Sequence, residues 1–293
     1  MFEEFKNAFS RPNNGHVQLI LINVVVFVLL AVLYVITTVS GYGNFFTLVH
    51  DQFSLSPSPE IFIIRPWTLF TYGFTHSLSD IWHILFNMIS LYWFGRLFLE
   101  YLGNERLIAL YVLGVLSGGL LYLALSNTVP FFQAHAAAGM VGASAAIYAI
   151  MVGCATLVPD YTFFLLFFGP VRIKYIAFFF ILISFLGTVS ANAGGNIAHL
   201  GGALMGFVYV RQLQRGRNLG AWITAVLTWL GGLFRRRPAI KVNYRRTQPA
   251  GPRAESRLSV SQQEIDAILD KISERGYDSL TREEKEKLFR AGK

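Results

Sequence analysis

The amino-acid sequence predicts an all-α membrane protein: a bundle of six transmembrane helices followed by a small cytoplasmic α-hairpin. Three observations predict it. Of 293 residues, 54% are apolar and only 14% charged, against roughly a quarter charged in soluble domains. Six segments approach the roughly 20 apolar residues that a helix needs to cross a bilayer. The basic residues are also sorted, because six spans put every Lys and Arg except Arg65 on one side.

The elements follow in chain order. Residues 1–16 mix acidic and basic side chains and form a cytoplasmic N-terminus. The apolar run 17–38 is too long for a signal-peptide core and has no prompt small-residue cleavage site, so it is expected to be a retained span. The loop 39–80 is rich in aromatic residues, among them Phe45, Phe62, Trp67 and Phe74, and poor in charge. Such a segment is expected to lie in the membrane interface. Further spans are expected at roughly 81–99, 107–126, 137–157, 173–189 and 195–213, which completes a membrane domain over 17–213. The stretch 158–172 is apolar but broken by Pro159, Gly169 and Pro170, and reads as an interfacial connector. The positive-inside rule then places both termini in the cytoplasm, in a cell (inner or plasma) membrane.

Beyond residue 213 the character changes. Residues 219–234 lack charge, but at 1.5 Å per residue they reach only about 24 Å. Arg215 and Arg217 precede them, and Arg235, Arg236 and Arg237 follow. Residues 214–237 therefore read as an interfacial helix held by Trp222, Trp229 and the arginines, with a seventh span as the alternative. Residues 238–260 read as a disordered linker rich in Pro, Arg and Ser. Residues 261–293 read as a helical hairpin. Ser261 with Glu264, and Thr281 with Glu284, have capping-box spacing. Ile265, Ile268, Leu269 and Ile272 follow a helical stripe that Gly276 ends, and Leu280, Leu288 and Phe289 supply the second apolar face. The net charge of +8 belongs mainly to this tail. Beside a membrane domain, anionic lipid explains it more simply than nucleic acid. The lone Cys154 excludes an intramolecular disulfide and any Cys-rich metal motif. No metal or cofactor is expected, and the oligomeric state is not set by the sequence.

The second, fourth and sixth spans carry His83, Asn87, Ser144 and His199, each near the start of a helix running in the same direction. These groups therefore share one depth, and polar groups inside a membrane are functional candidates by default. Ser144 lies among Gly139, Gly142, Ala143, Ala145 and Ala146, which leave room for a substrate backbone. A helix start near Gly142 would aim free N–H groups at a reacting carbonyl. A helix–helix hydrogen bond is the bland alternative for this serine. Gly202 and Gly206 give the sixth span a small-xxx-small face, able to bring His199 within reach of the Ser144 hydroxyl. Tyr148, four residues after Ser144, either packs on the imidazole or is ordinary core. His83 and Asn87, four apart on one helix face, either stabilise an oxyanion or glue two helices together.

HILFNM, GASAAIY and AHLGGALMG resemble, in order and on the right spans, the three signatures of rhomboid intramembrane proteases. RPWTLFTYGFTH resembles the segment that precedes the first of them, so the resemblance covers roughly residues 17–213. It implies Ser144 as nucleophile and His199 as general base in a dyad without an acidic third member. His83, Asn87 and the Ser144 backbone would form the oxyanion site, Gly142 would open the motif, and Tyr148 would stack on the histidine. One departure is Ala145, where many members have Gly; its methyl is expected to be tolerable but able to narrow the substrate channel. The tail resembles a short module attached to some bacterial rhomboids. The implied activity is endopeptidase cleavage of transmembrane protein substrates in or near the lipid bilayer. The rival reading is a catalytically inactive rhomboid-like protein that binds and routes membrane proteins. A transporter fits less well, because the polar residues cluster at one depth instead of lining a path.

Overall fold

The computed structural model describes residues 13–134, 139–234 and 262–291. The expectations for most of the N-terminal segment 1–16, for the linker 238–260 and for Ser261 lie outside the described residues. The chain divides into two compact units, Met1–Arg236 and Arg237–Lys293, and the described residues are mostly helical.

In the first unit α1 is Gly15–Val39, followed by the short helices α2 (Gly43–His50), α3 (Pro59–Ile64) and α4 (Thr68–Thr71). Next come α5 (Ile81–Leu102), α6 (Asn104–Thr128) and the short α7 (Pro130–Ala134). α8 (Ser144–Leu157) leads through strands β1 (Thr162–Leu165) and β2 (Gly169–Arg172) to α9 (Ile173–Gly187). α10 (Ala193–Gln214) and α11 (Ala221–Phe234) complete the unit. Helices α1, α5, α6, α8, α9 and α10 fall on the six expected segments. Of the described helices, α1 and α6 are long and apolar enough to cross a membrane by length and composition. α8, α9 and residues 221–232 of α11 are apolar but shorter.

Two expectations are corrected. The fourth segment, expected as a span over 137–157, becomes helical only at Ser144, two residues past Gly142. The approach to α8 is extended, with Met140 bridged to Leu55. The reason is Gly142, whose φ of 137° is incompatible with a right-handed helix. The stretch 158–172 is not merely a broken connector, and the described fold is not purely α. β1 and β2 pair antiparallel from Thr162↔Arg172 to Leu165↔Gly169. Gly169, at φ 70°, closes the turn. Phe163 sits edge-on to Phe94 at 5.6 Å, while Phe164, Leu166, Phe167 and Phe168 are exposed. The loop 39–80 holds α2, α3, α4 and a further short turn of helix over 72–74, and part of it supports the core.

α8 is the centre of this unit. Every residue from Ala145 to Cys154 is buried, which only an element enclosed on all sides achieves. Glycines allow the enclosure. A Cβ on Gly202 or Gly206 of α10 would strike the carbonyl oxygens of Ala145 and Ala149. One on Gly114 or Gly118 of α6 would come within 2.7 Å of the Ala149 and 2.6 Å of the Ala145 methyl. α6 and α10 thus press on α8 nearly backbone to backbone, a packing mode built on small residues. Tyrosines tie the layers together where no water reaches. Tyr72 donates to the Val115 carbonyl at 2.6 Å, Tyr111 to the Gly73 carbonyl at 2.7 Å, and Asn23 to the Tyr111 hydroxyl at 3.1 Å. Each satisfies polar groups that are costly to leave unpaired when buried.

The second unit holds α12 (Gln262–Arg275) and α13 (Arg282–Ala291). Gly276, at φ 79° and ψ 163°, ends α12 in a positive-φ conformation that glycine adopts readily. Thr281 and Glu284 form the expected reciprocal box: the Thr281 N–H donates to Glu284 at 2.7 Å, and the Glu284 N–H to the Thr281 hydroxyl at 3.4 Å. Lys271 meets Glu284 at 2.8 Å. Ile268 and Leu280 are buried, whereas Leu269 and Phe289, assigned to the apolar faces, are exposed. A hairpin this small covers its stripe only in part.

Candidate active site

Ser144 is the first residue of α8, behind the cap residue Ala143. Alanine has no side-chain acceptor, so no side chain caps the first-turn N–H groups. The approach to this helix end is held rigidly. Met140 and Leu55 exchange two backbone hydrogen bonds of 2.9 and 3.0 Å, and the Gly142 N–H donates to the Tyr72 carbonyl at 2.9 Å. Tyr72 is in turn fixed on α6 through Val115. Leu55 and Tyr72 are therefore supporting residues that sequence reasoning missed, because a bridge between segments about 85 residues apart has no local signature.

His199, seven residues into α10, places Nε2 2.7 Å from the Ser144 hydroxyl oxygen. Serine has a proton to give and a neutral imidazole nitrogen has a lone pair to take it. Tyr148 stacks on the His199 ring at 4.3 Å between centroids and 10° between planes. Tyr148 and His199 are thus in direct face-to-face contact. The other ring nitrogen of His199, Nδ1, lies 3.1 Å from the hydroxyl of Ser184 on α9. Ser184 also donates to the Tyr148 hydroxyl at 2.8 Å. Sequence reasoning missed Ser184, since one serine in the apolar run IAFFFILISFLG carries no signal of its own.

On the other side of Ser144 stands α5, whose N-terminus is capped by Asp80 accepting from the Trp82 N–H at 3.0 Å. His83 is half-buried near that end. A Cβ on Gly142 would meet His83 Nε2 at 2.9 Å and the Ser144 hydroxyl at 3.5 Å, so Gly142 occupies the gap between them. Only glycine tolerates both that gap and its φ. Asn87, one turn further along α5, is buried, and its side-chain NH₂ has no hydrogen-bond partner. An unpaired buried donor is costly unless something supplies an acceptor. His76, fully buried ahead of α5, lies edge-on to His83 at 5.2 Å. Burial, and then the charge of His83, hold it below the ordinary imidazole range.

Ala145 does not face the cleft. It is 1% exposed, and its methyl fits the notch that Gly118 leaves on α6. The departure from Gly at this position is absorbed by a glycine elsewhere. Among the described residues no cluster of three or more His, Cys, Asp or Glu is poised to hold a metal.

A family model described as Rhomboid domain matches residues 65–215, and one described as Family of unknown function (DUF6576) matches residues 256–291. The chain is 34% identical over 163 residues to "RHOMBOID-like protein 12, mitochondrial" of Arabidopsis thaliana, covering 52% of this chain and 48% of that one. It is 30% identical over 165 residues to "Rhomboid-like protein 16, chloroplastic" of Arabidopsis thaliana, covering 52% and 51%. The figures for "Rhomboid protein 1, mitochondrial" of Saccharomyces cerevisiae are 30% over 165 residues, 51% and 44%. The chain spans about half the length of the curated relatives it matches. The printed locations of these relatives overturn one expectation. A cell (inner or plasma) membrane with cytoplasmic termini does not stand, because these relatives are named as mitochondrial and chloroplastic proteins. A count of Lys and Arg orders the two sides of a membrane without saying which membrane it is.

Proposed function

The chain belongs to the rhomboid family, and we propose on that premise that it is an intramembrane serine endopeptidase that cuts peptide bonds in or near transmembrane segments of other proteins. The observation that carries the reading is the 2.7 Å contact between the Ser144 hydroxyl and His199 Nε2, made across 55 residues of sequence. Ser144 passes its proton to His199 Nε2 as its oxygen attacks the scissile carbonyl. His199 returns that proton to the leaving amine, which departs and leaves an acyl ester on Ser144. A water molecule, deprotonated by His199, then releases the acid product. The charge that develops on the carbonyl oxygen is taken up by His83, the unpaired Asn87 amide and the free N–H of Ser144. Tyr148 holds the imidazole plane. Gly142 keeps the approach open, and Gly202 and Gly206 set the distance between the two helices.

The reading includes a membrane domain over 17–213 in which α1, α5, α6, α8, α9 and α10 cross the bilayer. Large exposed apolar side chains support it, such as Val28, Leu29, Val32 and Ile36 on α1 and Phe178, Phe179, Phe185 and Leu186 on α9. An aqueous protein rarely leaves so much contiguous apolar surface uncovered. Residues 214–234 then lie at the interface, and 262–291 hold the helical hairpin.

The test is cleavage of a transmembrane reporter by purified protein in liposomes, with Ser144→Ala and His199→Ala. Both variants are expected to lose cleavage. Cleavage retained in either refutes the dyad. A wild-type protein that binds transmembrane segments without cutting any leaves the binding-and-routing reading in its place.

A further inference from the structure

We infer that Ser184 is a positioning residue for His199, and that it takes the place an acidic group holds in a three-membered catalytic set. The inference rests on the protease reading of Ser144 and His199 and deepens it. Five groups stand in a line. Ser144 Oγ is 2.7 Å from His199 Nε2, and His199 Nδ1 is 3.1 Å from Ser184 Oγ. Ser184 donates to Tyr148 Oη at 2.8 Å, and Tyr148 donates to the Phe180 carbonyl at 3.3 Å.

The far end fixes the direction of the line. The Phe180 carbonyl has no proton and only accepts. Tyr148 must therefore spend its proton there and accept from Ser184. Ser184, having spent its own proton on Tyr148, presents only lone pairs to Nδ1. A neutral imidazole carries one proton, and which nitrogen holds it is set by the hydrogen bond the other makes. Facing an acceptor, Nδ1 keeps the proton, and Nε2 is left with the lone pair that must receive the Ser144 proton. The three interior groups, His199, Ser184 and Tyr148, each donate once and accept once, so the line polarises in one sense.

Burial makes the arrangement binding. Ser184 is 1% exposed and Tyr148 9%, so no bulk water competes for these partners. Ser184 and Phe180 both lie on α9, one helical turn apart, which makes α9 the element that dictates the imidazole tautomer. During attack the proton lost by Ser144 leaves His199 positively charged, with both nitrogens donating. Ser184 still accepts from Nδ1 throughout, and no group in the line needs to reorient. Tyr148 thereby has two tasks, a ring face for His199 and a hydroxyl that aims Ser184.

The experiment uses the full-length protein, labelled with ¹⁵N-histidine in lipid nanodiscs, with the His199 resonances identified by their loss in His199→Gln. Wild type is expected to show the neutral His199 proton on Nδ1. Ser184→Ala is expected to shift it toward Nε2 and to lower kcat on a transmembrane reporter about 10-fold with KM unchanged, the loss of one neutral hydrogen bond. Ser184→Thr, which keeps the hydroxyl, is expected to restore both. Tyr148→Phe keeps the ring but frees the Ser184 proton to turn toward Nδ1, so it is expected to shift the tautomer in the same sense. It stands as the deciding variant if Ser184→Ala does not fold. A wild-type tautomer in both Ser184→Ala and Tyr148→Phe, or unchanged kcat in folded Ser184→Ala, overturns the inference. A wild-type Nδ1 proton that moves in Ser184→Ala, in a protein that cuts no reporter, supports the inference and refutes the protease reading alone.

Discussion

Replacing Gly202 by Ala tests whether the spacing between α8 and α10 controls chemistry and not merely stability. A Cβ at Gly202 would lie on the Ala145 carbonyl oxygen, 2.7 Å from its carbon and 3.1 Å from its Cα, where ordinary contact begins at 3.4 Å. These are backbone atoms, so the helices must part by roughly 1 Å. Gly202 is one turn beyond His199, and the displacement carries Nε2 away from Ser144. The 2.7 Å contact then passes the length of a useful hydrogen bond. A misplacement of about 1 Å costs on the order of 10²-fold in rate. Stability behaves differently. Overpacking costs about 1–3 kcal/mol, but Ala regains roughly 1 kcal/mol over Gly inside a helix. The expected outcome is a ~100-fold loss in kcat/KM on a transmembrane reporter with a shift of only a few degrees in Tm. Gly231→Ala is the control, because nothing lies within 4 Å of the new methyl. Gly202→Ala at the wild-type rate would refute the claim that this glycine sets the dyad distance.

Other outcomes follow from the same packing. Gly142→Ala forces a side chain into φ 137° and against His83 Nε2 at 2.9 Å; reporter cleavage is expected to fall at least as far as for Gly202→Ala. Asn87→Ala removes the unpaired buried donor, with a loss of order 10²-fold in kcat and an unchanged or raised Tm; an unchanged rate would make Asn87 a packing residue. Tyr72→Phe removes the 2.6 Å bond to the Val115 carbonyl and is expected to cost about 1 kcal/mol in thermal unfolding. In the small unit, Lys271 and then the Thr281 N–H hold the Glu284 carboxyl down at about 2, from 4.5. Because the folded value is the lower one, the stabilisation is present above pH 4.5 and is lost as pH falls toward 2. The protection of α12 and α13 amides from hydrogen exchange, relative to their intrinsic rates at each pH, should fall over that window, and Lys271→Met should flatten the dependence.

Much of this arrangement is written in short-range sequence. The six apolar segments announced six helices, and small residues around Ser144 and on the His199 helix announced close contact. Gly202 and Gly206 did so because a 3.6-residue period puts residues four apart on one face. The rest required distant chain segments to meet. The Leu55–Met140 bridge and the role of Ser184 depend on partners in other elements, so their own neighbourhoods say nothing. The helix start near Gly142 was legible, but not that α8 begins only at Ser144, because the positive φ of Gly142 depends on its surroundings. Ala145 was misjudged for a related reason: whether a methyl narrows a channel depends on which neighbour it faces, and that neighbour, Gly118, lies 27 positions earlier. The hairpin 162–172 was obscured by its composition, since an apolar run with Gly and Pro fits a connector as well as paired strands.

The brevity of α8 sets a depth. Fourteen residues rise about 21 Å, whereas the hydrocarbon layer is about 30 Å thick. A helix whose far end reaches one interface therefore begins roughly 9 Å short of the other, and Ser144 is its first residue. The stretch before it is pinned to Leu55 and Tyr72 by backbone hydrogen bonds. The peptide bond selected for cleavage would then be chosen less by side-chain recognition than by elevation, as the bond that hangs at the height where α8 begins. Adding a turn to α8 would raise that height by about 5.4 Å, and the cut on a given substrate would move with it.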